Sequence, residues 1–421
     1  MMINFLLLLI TTNLFLMSKS NIFESFSDPL LFLSQIFSLI GTILLCYSFV
    51  LGSRSRFLEN IFGGLDKVIK LHHIVGGISF VLLINHPILL AIKALPNLNL
   101  ASKYLFLSTI FEYNTGIIAL YGMIILLFLT IIIKLPYNIW LKTHDTFGII
   151  LFFACLHIFF ISSDVSRYLP LRIWVFCNLA IGAFFYIYKV FLYKWFGPKY
   201  NYTVLKINET ANILEIYLKP ENESIKFKPG QFAFINFNHK GLKESHPFSF
   251  SSSPDEKIVR FSVKIFGDYT AKLRLLLPGT KCTIYGAYGR FYYNFFDKKD
   301  VVCIAGGIGI TPFASLISYE EKHILPRKIS LIYCAKNQNL AIYHDEFKEI
   351  QNRLSNFKYF PNFDDQMPKL NVQTIVQNIG DIKDKIFFIC GPSTMMHEIS
   401  AQLQINGVNL KNIIIEDFNF K

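Results

Sequence analysis

Five histidines lie inside long apolar stretches of the sequence, where titratable side chains are costly and usually functional. His72, His73 and His86 share one stretch, and His144 and His157 share another. Each stretch has imidazoles near both of its ends. Two neighbouring helices with this arrangement could hold about two haems, with one imidazole from either helix on each iron. Iron held in this way has no open coordination position and suits electron transfer.

The spacing of these histidines favours that interpretation. His72 and His86 are 14 residues apart, which on a straight helix means ~21 Å and ~40°. The 13 residues between His144 and His157 give ~140° and require a bend, a π-bulge or a helix start near His144. His73 stays an alternative to His72, and a location at the headgroup level without any ligand role is the structural alternative for them all. Pairing by depth gives the predicted iron ligands: His72 with His144, and His86 with His157.

These histidines belong to a chain that is half membrane protein by composition. Of its 421 residues 52% are hydrophobic and 17% charged, and the mean hydropathy of +0.40 excludes an ordinary soluble enzyme. Residues 1–197 carry 13 Lys/Arg and 7 Asp/Glu, against 28 and 22 in residues 198–421. We take the first apolar stretch as an uncleaved span rather than a signal peptide, because its start lacks Lys/Arg. Six stretches approach the ~20 residues that cross a bilayer: 3–17, 29–52, 71–95, 112–134, 145–162 and 171–193.

Basic residues in the short loops predict the orientation. Nine Lys/Arg lie on one side and five on the other, which places the N-terminus, the loops after spans 2 and 4, and everything after span 6 in the cytoplasm. We expect an integral protein of the plasma (inner) membrane of a bacterium. The net charge of +12 comes without a basic run, so no nucleic-acid partner is expected. The seven cysteines show no C-x-x-C spacing, which argues against zinc, an iron–sulfur cluster or a disulfide framework. Four histidines in polar segments are predicted at the surface: His239, His323, His344 and His397.

The soluble half divides into two patterns. Short β-rich runs separated by turns predict a small antiparallel barrel over residues 198–298. Buried strands at 301–305, 329–334 and 385–389 alternate with helical segments, and this predicts a doubly wound α/β domain over residues 299–421. The predicted fold class is a multi-domain membrane protein, in which a six-helix transmembrane bundle over residues 1–197 precedes the β-barrel and the α/β domain.

Two short motifs in the barrel could bind FAD. The first combines rings that can lie along an isoalloxazine with a hydroxyl that can hydrogen-bond it; it consists of His246, Pro247, Phe248 and Ser249. The second follows a strand, and its Gly267, with Thr270 three residues later, lets the backbone approach a pyrophosphate. Each motif alone also fits an ordinary turn.

Two further motifs could bind a nicotinamide dinucleotide. A turn between a buried strand and a helix offers free N–H groups to phosphates; it contains Gly306, Gly307, Gly309, Thr311 and Pro312. This turn lacks the Walker and G-x-G-x-x-G patterns, and a tight structural turn is the alternative. A later strand ends in Cys390, Gly391 and Pro392, at the edge where such sheets bind ligands. Lys336, after another strand, could meet the 2′-phosphate of NADPH or be an ordinary exposed lysine, so the preference between NADPH and NADH stays open.

The histidine spacings and these motifs, in this order, resemble the family that joins NADPH oxidases with ferric reductases, over essentially the whole chain. The resemblance implies a six-helix ferric-reductase-like domain with two b-type haems on spans 3 and 5. It further implies an FAD barrel and a nicotinamide domain of the ferredoxin–NADP reductase type. Under this resemblance residues 246–249 hold the flavin, 267–270 its pyrophosphate, 306–312 the nicotinamide cofactor, and 390–392 lie beside the nicotinamide.

The resemblance also implies that the C-terminal segment lays an aromatic ring on the flavin, which yields to nicotinamide for hydride transfer. We expect Phe418 in this role, with Phe420 second, and packing of the last strand is the structural alternative. Ser249 and Cys390 would join Phe418 at the reaction centre. Two departures from the family pattern concern the acceptor. Eukaryotic superoxide-forming members resemble one another in having a histidine one turn beyond the outer haem ligand and an Arg on span 2. Here Leu90 occupies the first position, and span 2 contains no Arg.

These observations predict transmembrane electron transfer from cytoplasmic NAD(P)H through FAD and two haems to an outer acceptor. The expected acceptor is oxygen, giving superoxide, and the expected surroundings are the lipid bilayer. A ferric or cupric reductase is the first alternative. A membrane transporter or sensor with a regulatory nucleotide domain is an alternative from another class.

Overall fold

The computed structural model describes residues 2–20, 26–133, 135–292, 295, 299–323 and 325–416. The chain forms two compact units. The first comprises Met1–Leu58 and Lys67–Phe196, and the second comprises Glu59–Asp66 and Gly197–Lys421.

The first unit is a bundle of apolar helices. Five helices in the described part of the chain are long and apolar enough to cross a membrane, and a shorter apolar helix precedes them. The first helix has 16 residues, fewer than the ~20 that span the hydrocarbon. The helices are α1 (Met2–Met17), α2 (Pro29–Leu51), α3 (Arg56–Phe62), α4 (Leu65–Ala94), α5 (Leu98–Leu105), α6 (Phe111–Leu127), α7 (Tyr137–Asp145), α8 (Phe147–Phe160), α9 (Asp164–Arg167), α10 (Leu169–Ile187) and α11 (Tyr193–Phe196).

Local signals set several of these helix ends. Helix α2 begins after Asp28, whose carboxylate accepts a hydrogen bond from the Leu31 backbone N–H, and Pro29 occupies its first turn. Helices α6 and α10 each continue through one π-helical turn, Phe128–Ile132 and Tyr188–Leu192. The apolar stretch predicted to begin at residue 145 begins earlier, at Tyr137, because the more polar turn that contains Lys142 and His144 is helical as well.

Helix α1 is tied into the bundle by polar bonds as well as by packing. Lys19 Nζ donates to Asp164 Oδ2 at 2.6 Å and to Gln35 Oε1 at 2.7 Å. The Lys19 and Asp164 side chains are only 10% and 12% exposed. Trp174 Nε1 donates to Thr11 Oγ1 at 3.0 Å. The first helix therefore packs as a member of the bundle.

The second unit begins with a curled antiparallel sheet, as predicted. Its strand order is β4-β3-β6-β1-β2-β5, and its interior is filled by large side chains such as Tyr202, Phe237, Phe250 and Phe261. Alternating burial along β2 gives the sheet one apolar face, as the sequence pattern indicates. The strands are β1 (Lys199–Thr210), β2 (Ile213–Pro220), β3 (Phe232–Phe237), β4 (His246–Ser249), β5 (Val259–Lys264) and β6 (Lys281–Tyr288), with helix α12 (Asp268–Lys272) after β5.

A parallel five-stranded sheet follows, in the order β11-β10-β7-β8-β9. Strand β7 is buried along its whole length, which explains its unbroken apolar sequence. The surface location expected for His344 is wrong: its side chain is buried, and its Nδ1 lies 2.9 Å from the Tyr359 hydroxyl. The elements are β7 (Val301–Gly306), α13 (Thr311–Lys322), β8 (Ile329–Ala335), α14 (His344–Arg353), β9 (Phe357–Phe363), α15 (Val372–Ile379), β10 (Ile386–Cys390), α16 (Ser393–Ile405) and β11 (Ile413–Ile415).

We predict that Lys19→Met lowers the stability of the bundle by about 3 kcal/mol, because it leaves the largely buried Asp164 carboxylate without its nearest cation. Arg167 Nη2, 3.6 Å from Asp164 Oδ1, keeps the loss at the low end of the range for buried pairs. The measurement is thermal unfolding of the detergent-solubilised protein.

The matched control is Lys93→Met. Lys93 pairs with Asp28 while both side chains are more than a third exposed, so its loss should cost no more than about 1 kcal/mol. The double variant Lys19→Met/Asp164→Asn should recover much of the stability. Equal effects of the two single variants would contradict the argument.

Candidate functional site

The four predicted iron ligands lie as two pairs within the first unit. The imidazole centroids of His72 on α4 and His144 on α7 are 5.9 Å apart. His86 on α4 and His157 on α8 line one cavity of about 340 Å³ between the helices. The two pairs lie toward opposite ends of α4, as the 14-residue spacing predicts.

Three of these imidazoles are held by backbone carbonyl oxygens of neighbouring helices. A carbonyl oxygen can only accept, so each Nδ1 carries the proton and each Nε2 keeps a free lone pair for a metal. Metal-binding histidines are usually oriented in this way. The bonds run from His72 Nδ1 to Ser48 O at 2.9 Å, from His86 Nδ1 to Ser34 O at 3.0 Å and from His157 Nδ1 to Glu112 O at 2.7 Å.

The same geometry favours His72 over His73 as the ligand. His72 is half-buried, points toward His144 and has its Nδ1 fixed by Ser48. The adjacent His73 is exposed. His72 is therefore better placed to act as a ligand.

A break in the fifth long helix accommodates the 13-residue spacing. Helix α7 ends at Asp145 and α8 begins at Phe147, with Thr146 between them. The interruption frees His144 from the direction that a straight helix would impose on it, as the spacing requires. His144 Nδ1 is buried and has no hydrogen-bond partner within the described residues.

These pairs fit haem better than a bare metal ion. In the described chain no group of three or more His, Cys, Asp or Glu could hold a metal, whereas haem needs only axial ligands from the protein. The cavity that His86 and His157 share is lined mostly by apolar side chains. A Cβ added at Gly116 would lie 2.8 Å from the His157 ring, so a glycine is required where α6 approaches this imidazole.

Sequence reasoning missed the serines that hold His72 and His86. Ser34 and Ser48 are 14 residues apart on α2, the same spacing as their histidine partners on α4. Two serines with this spacing on one apolar stretch were a usable signal. A serine in a helix usually hydrogen-bonds to the backbone of its own helix, so its sequence pattern alone does not indicate a bond to a histidine on another helix.

The two barrel motifs meet in space. Residues 246–249 form β4, which pairs with β3 so that Ser249 lies opposite Phe232. The rings of His246 and Tyr269 are 3.6 Å apart, and this contact joins the first motif to the second. Gly267 has φ +129° and a Cβ there would face open space, while Thr270 Oγ1 accepts from the Phe266 backbone N–H at 2.8 Å.

The two nicotinamide motifs are also brought together. A Cβ at Gly309 would lie 2.4 Å from Cys390 O, and one at Gly306 would lie 2.7 Å from Pro392 Cδ. These glycines therefore let two neighbouring strand ends approach each other. Gly307 differs, because it has φ +54° and a Cβ there would meet nothing within 4 Å. Of these glycines Gly307 has the backbone best exposed to a ligand. Thr311 and Pro312 begin α13 directly after the turn.

The remaining predicted residues lie around the carboxyl edge of the parallel sheet. Cys390 is buried at the end of β10, and Gly391 follows it. Lys336 is exposed just after β8. Phe418 and Phe420 lie outside the described residues.

Glu416 is a buried acid beside this edge that the sequence did not mark for a role. Its backbone N–H reaches Ile389 O, and a Cβ at Gly289 would lie 3.0 Å from its Oε1. Its Oε2 is buried without a hydrogen-bond partner among the described residues. Burial, with the neighbouring carboxylates of Asp66 and Glu59, raises the pKa of the Glu416 carboxyl well above its ordinary value. The folded protein therefore favours the neutral acid.

We predict that Glu416 makes the second unit less stable as pH rises. The unfolded carboxyl ionises near pH ~4.3, whereas the folded one keeps its proton to higher pH. Its contribution is complete below the unfolded pKa and is lost, at up to ~1.4 kcal/mol per pH unit, as pH rises toward the folded pKa. Glu416→Gln should remove this dependence, as measured by unfolding of the full chain at several pH values.

The control for that experiment is Glu398→Gln on α16, which changes an exposed glutamate. It should leave the pH dependence of stability unchanged. If Glu416→Gln were more destabilising at high pH than at low pH, the ionised carboxylate would have to stabilise the fold, contrary to the argument.

Comparison with known families assigns three consecutive regions. The model described as a ferric reductase like transmembrane component matches residues 37–155. An FAD-binding domain model matches residues 195–302, and an oxidoreductase NAD-binding domain model matches residues 303–401. The order and content of these regions agree with the resemblance found in the sequence.

Individual relatives match parts of the chain. A heavy chain of the superoxide-generating NADPH oxidase of Dictyostelium discoideum is 29% identical over 178 residues, which are 35% of this chain and 26% of that protein. A component of the Na(+)-translocating NADH-quinone reductase of Marinomonas is 25% identical over 266 residues, which are 50% of this chain and 65% of that protein. The matched regions thus span less than two thirds of either relative.

Among solved structures, flavohemoglobin from Malassezia yamatoensis with bound FAD and heme aligns with a TM-score of 0.51 and 16% identity, covering 94% of this chain and 98% of that one. At this identity the likeness concerns the fold alone. The three matched models identify the chain as a membrane-bound flavoprotein oxidoreductase, in which a ferric reductase like transmembrane component precedes FAD-binding and NAD-binding domains and which is similar to NADPH oxidases.

Proposed function

We propose that this protein carries electrons from NAD(P)H through FAD and about two b-type haems to an acceptor across the membrane. The observation that carries the proposal is the placement of two histidine pairs at the two ends of α4: His72 faces His144, and His86 shares a cavity with His157. Two haems would divide a barrier of ~30 Å into shorter electron transfers.

In this proposal His72 and His144 hold the inner haem, and His86 and His157 hold the outer one. Bound FAD and haem would supply hydride acceptance from the nicotinamide and its conversion into single-electron transfer. Carbonyl oxygens of neighbouring helices hold His72, His86 and His157 in the tautomer that leaves Nε2 free. The cavity that His86 and His157 line is mostly apolar.

The second unit would bind the nucleotides. The motif at 246–249 would contact the flavin, with Ser249 as its hydroxyl, and the turn at 267–270 would contact its pyrophosphate. The Gly307 backbone would meet the nicotinamide nucleotide, and Cys390 would lie beside the reacting ring. Phe418 would cover the flavin until nicotinamide displaces it. Lys336 is the candidate contact for a 2′-phosphate.

The orientation of the proposal follows from charge. The excess of Lys/Arg in the loops after spans 2 and 4 and after the last span favours a cytoplasmic second unit. Electrons would therefore leave on the outer side, in the plasma membrane of a bacterium. This direction also matches the supply of NAD(P)H.

Oxygen is the acceptor that we propose first, reduced by one electron to superoxide. The support is the similarity to the superoxide-generating oxidase chain of Dictyostelium. A ferric or cupric reductase is the second candidate. It is favoured by the ferric-reductase-like family model and by the outer cavity, where Leu90 lies in place of a histidine and α2 brings no Arg.

We predict about two haems and about one FAD per purified chain. His157→Ala should lower the haem content to about one per chain, because the outer iron loses an axial ligand. Reduced-minus-oxidised spectra and quantitative haem extraction measure this content.

His73→Ala is the matched control, since it changes an exposed histidine next to a proposed ligand, and it should keep both haems. A wild-type chain without a b-type haem spectrum would instead support a transporter or sensor that uses its nucleotide domain for regulation.

The acceptor is decided by steady-state assays in proteoliposomes. We predict oxygen uptake with formation of superoxide that superoxide dismutase removes. Anaerobic reduction of chelated Fe(III) or Cu(II), with little oxygen uptake in air, would establish the metal reductase instead.

A further inference from the structure

Helix α2 carries no histidine, yet its side chains contact a proposed ligand at each end of α4. Ser34 contacts His86, and Ser48 contacts His72. We propose that these two serines are positioning residues that fix the imidazoles and tune the potentials of the two haems separately. This inference rests on the haem ligation proposed above.

The contact at Ser34 has a defined direction. Ser34 Oγ donates its single proton to His86 O at 2.9 Å. The same oxygen therefore accepts from His86 Nδ1, which is 2.7 Å away, while Ser34 O lies 3.0 Å from that nitrogen. The hydroxyl is the closer acceptor, and it also ties the backbone of the histidine to α2.

At Ser48 the hydroxyl and carbonyl oxygens again both lie near the imidazole Nδ1, but their relative distances differ from those at Ser34. His72 Nδ1 lies 2.9 Å from Ser48 O and 3.0 Å from Ser48 Oγ. The carbonyl already accepts the Gly52 backbone N–H at 2.9 Å. Here the carbonyl is the closer acceptor, so removal of the hydroxyl should have a smaller effect than at Ser34.

A third bond shows that these contacts belong to one regular interface. Ser79 Oγ donates to Gly41 O at 2.8 Å, halfway between the Ser34–His86 and Ser48–His72 contacts. The contact positions are seven residues apart on both helices, at 34, 41 and 48 on α2 and at 72, 79 and 86 on α4. A seven-residue repeat drifts by only ~20° on a helix, which keeps all three bonds on one face. The middle bond is structural, whereas the outer two end on imidazoles.

The chemical consequence follows from the imidazole itself. A hydrogen bond from Nδ1–H increases the basicity of Nε2 as a ligand. A more basic ligand favours ferric over ferrous iron and lowers the midpoint potential of the haem. In the inner pair His144 Nδ1 has no partner among the described residues, so the hydrogen bonds at Ser48 orient His72 alone. In the outer pair His157 has its own carbonyl on Glu112.

The test compares Ser34→Ala, Ser48→Ala and Ser79→Ala in the full chain, with haem content and spectroelectrochemical midpoint potentials as readouts. Ser34→Ala should move one haem component to a more positive potential and leave the other unchanged. Ser48→Ala should move the other component in the same direction by a smaller amount. Ser79→Ala removes a buried bond in the same interface and should lower thermal stability without moving either potential.

The conservative variant Ser34→Thr keeps a hydroxyl and should restore the wild-type potential. If Ser34→Ala weakens binding of the outer haem by about 10-fold or more, retention of that haem in Ser34→Thr and Ser79→Ala supports the same role. Two bound haems with unchanged potentials in both alanine variants would overturn the inference while leaving the proposed function intact. Equal shifts in all three alanine variants would also overturn it, because they would show a general effect of helix packing. A wild-type chain without haem would defeat the proposed function itself.

Discussion

An imidazole inside a helical bundle needs a partner for each of its two ring nitrogens, and this constraint governs the first unit. If one nitrogen is to face a metal, the other needs an acceptor, since an unpaired polar group in an apolar interior is costly. The available acceptors are carbonyl oxygens of adjacent helices, which already take part in helical bonds but have a second lone pair. Ser48 O illustrates this, because it accepts from both Gly52 and His72. The position of each neighbouring helix is therefore coupled to the direction of an imidazole.

This coupling explains why glycines occur where neighbouring helices approach the two histidine-bearing helices. A Cβ at Gly41 would lie 2.8 Å from Leu83, and one at Gly116 would lie 2.8 Å from His157. Without side chains at these points, the backbones of α2 and α6 can come close enough for carbonyl oxygens to reach across. Close helix approach through small residues and interhelical polar bonds is the usual means of packing in lipid. The same packing leaves room between α4 and α8 for a cavity.

The parts of this architecture that the sequence predicted are those with a strong local period. The long apolar helices, the antiparallel sheet and the buried strand at Val301–Gly306 follow from composition and alternation. The requirement for a bend near His144 came from helical geometry alone, and the helix breaks there at Thr146, which is neither a proline nor a glycine. The serine contacts with His72 and His86 and the burial of His344 and Glu416 were not predicted, because each depends on which distant segment packs against the residue.

In the second unit the same logic joins motifs that lie far apart in the sequence. The antiparallel and parallel sheets are fastened to each other by polar side chains. Ser315 Oγ donates to Ser252 O at 2.7 Å, and the Arg260 guanidinium lies 4.4 Å from the Tyr343 ring centroid and donates to Glu346 Oε2 at 3.1 Å. Such a fastening matters for a two-nucleotide enzyme, because hydride transfer tolerates little misplacement of the reacting rings. The motif residues can then remain on glycine-rich turns, whose backbones approach ligands closely, while the rigidity comes from buried contacts elsewhere in the unit.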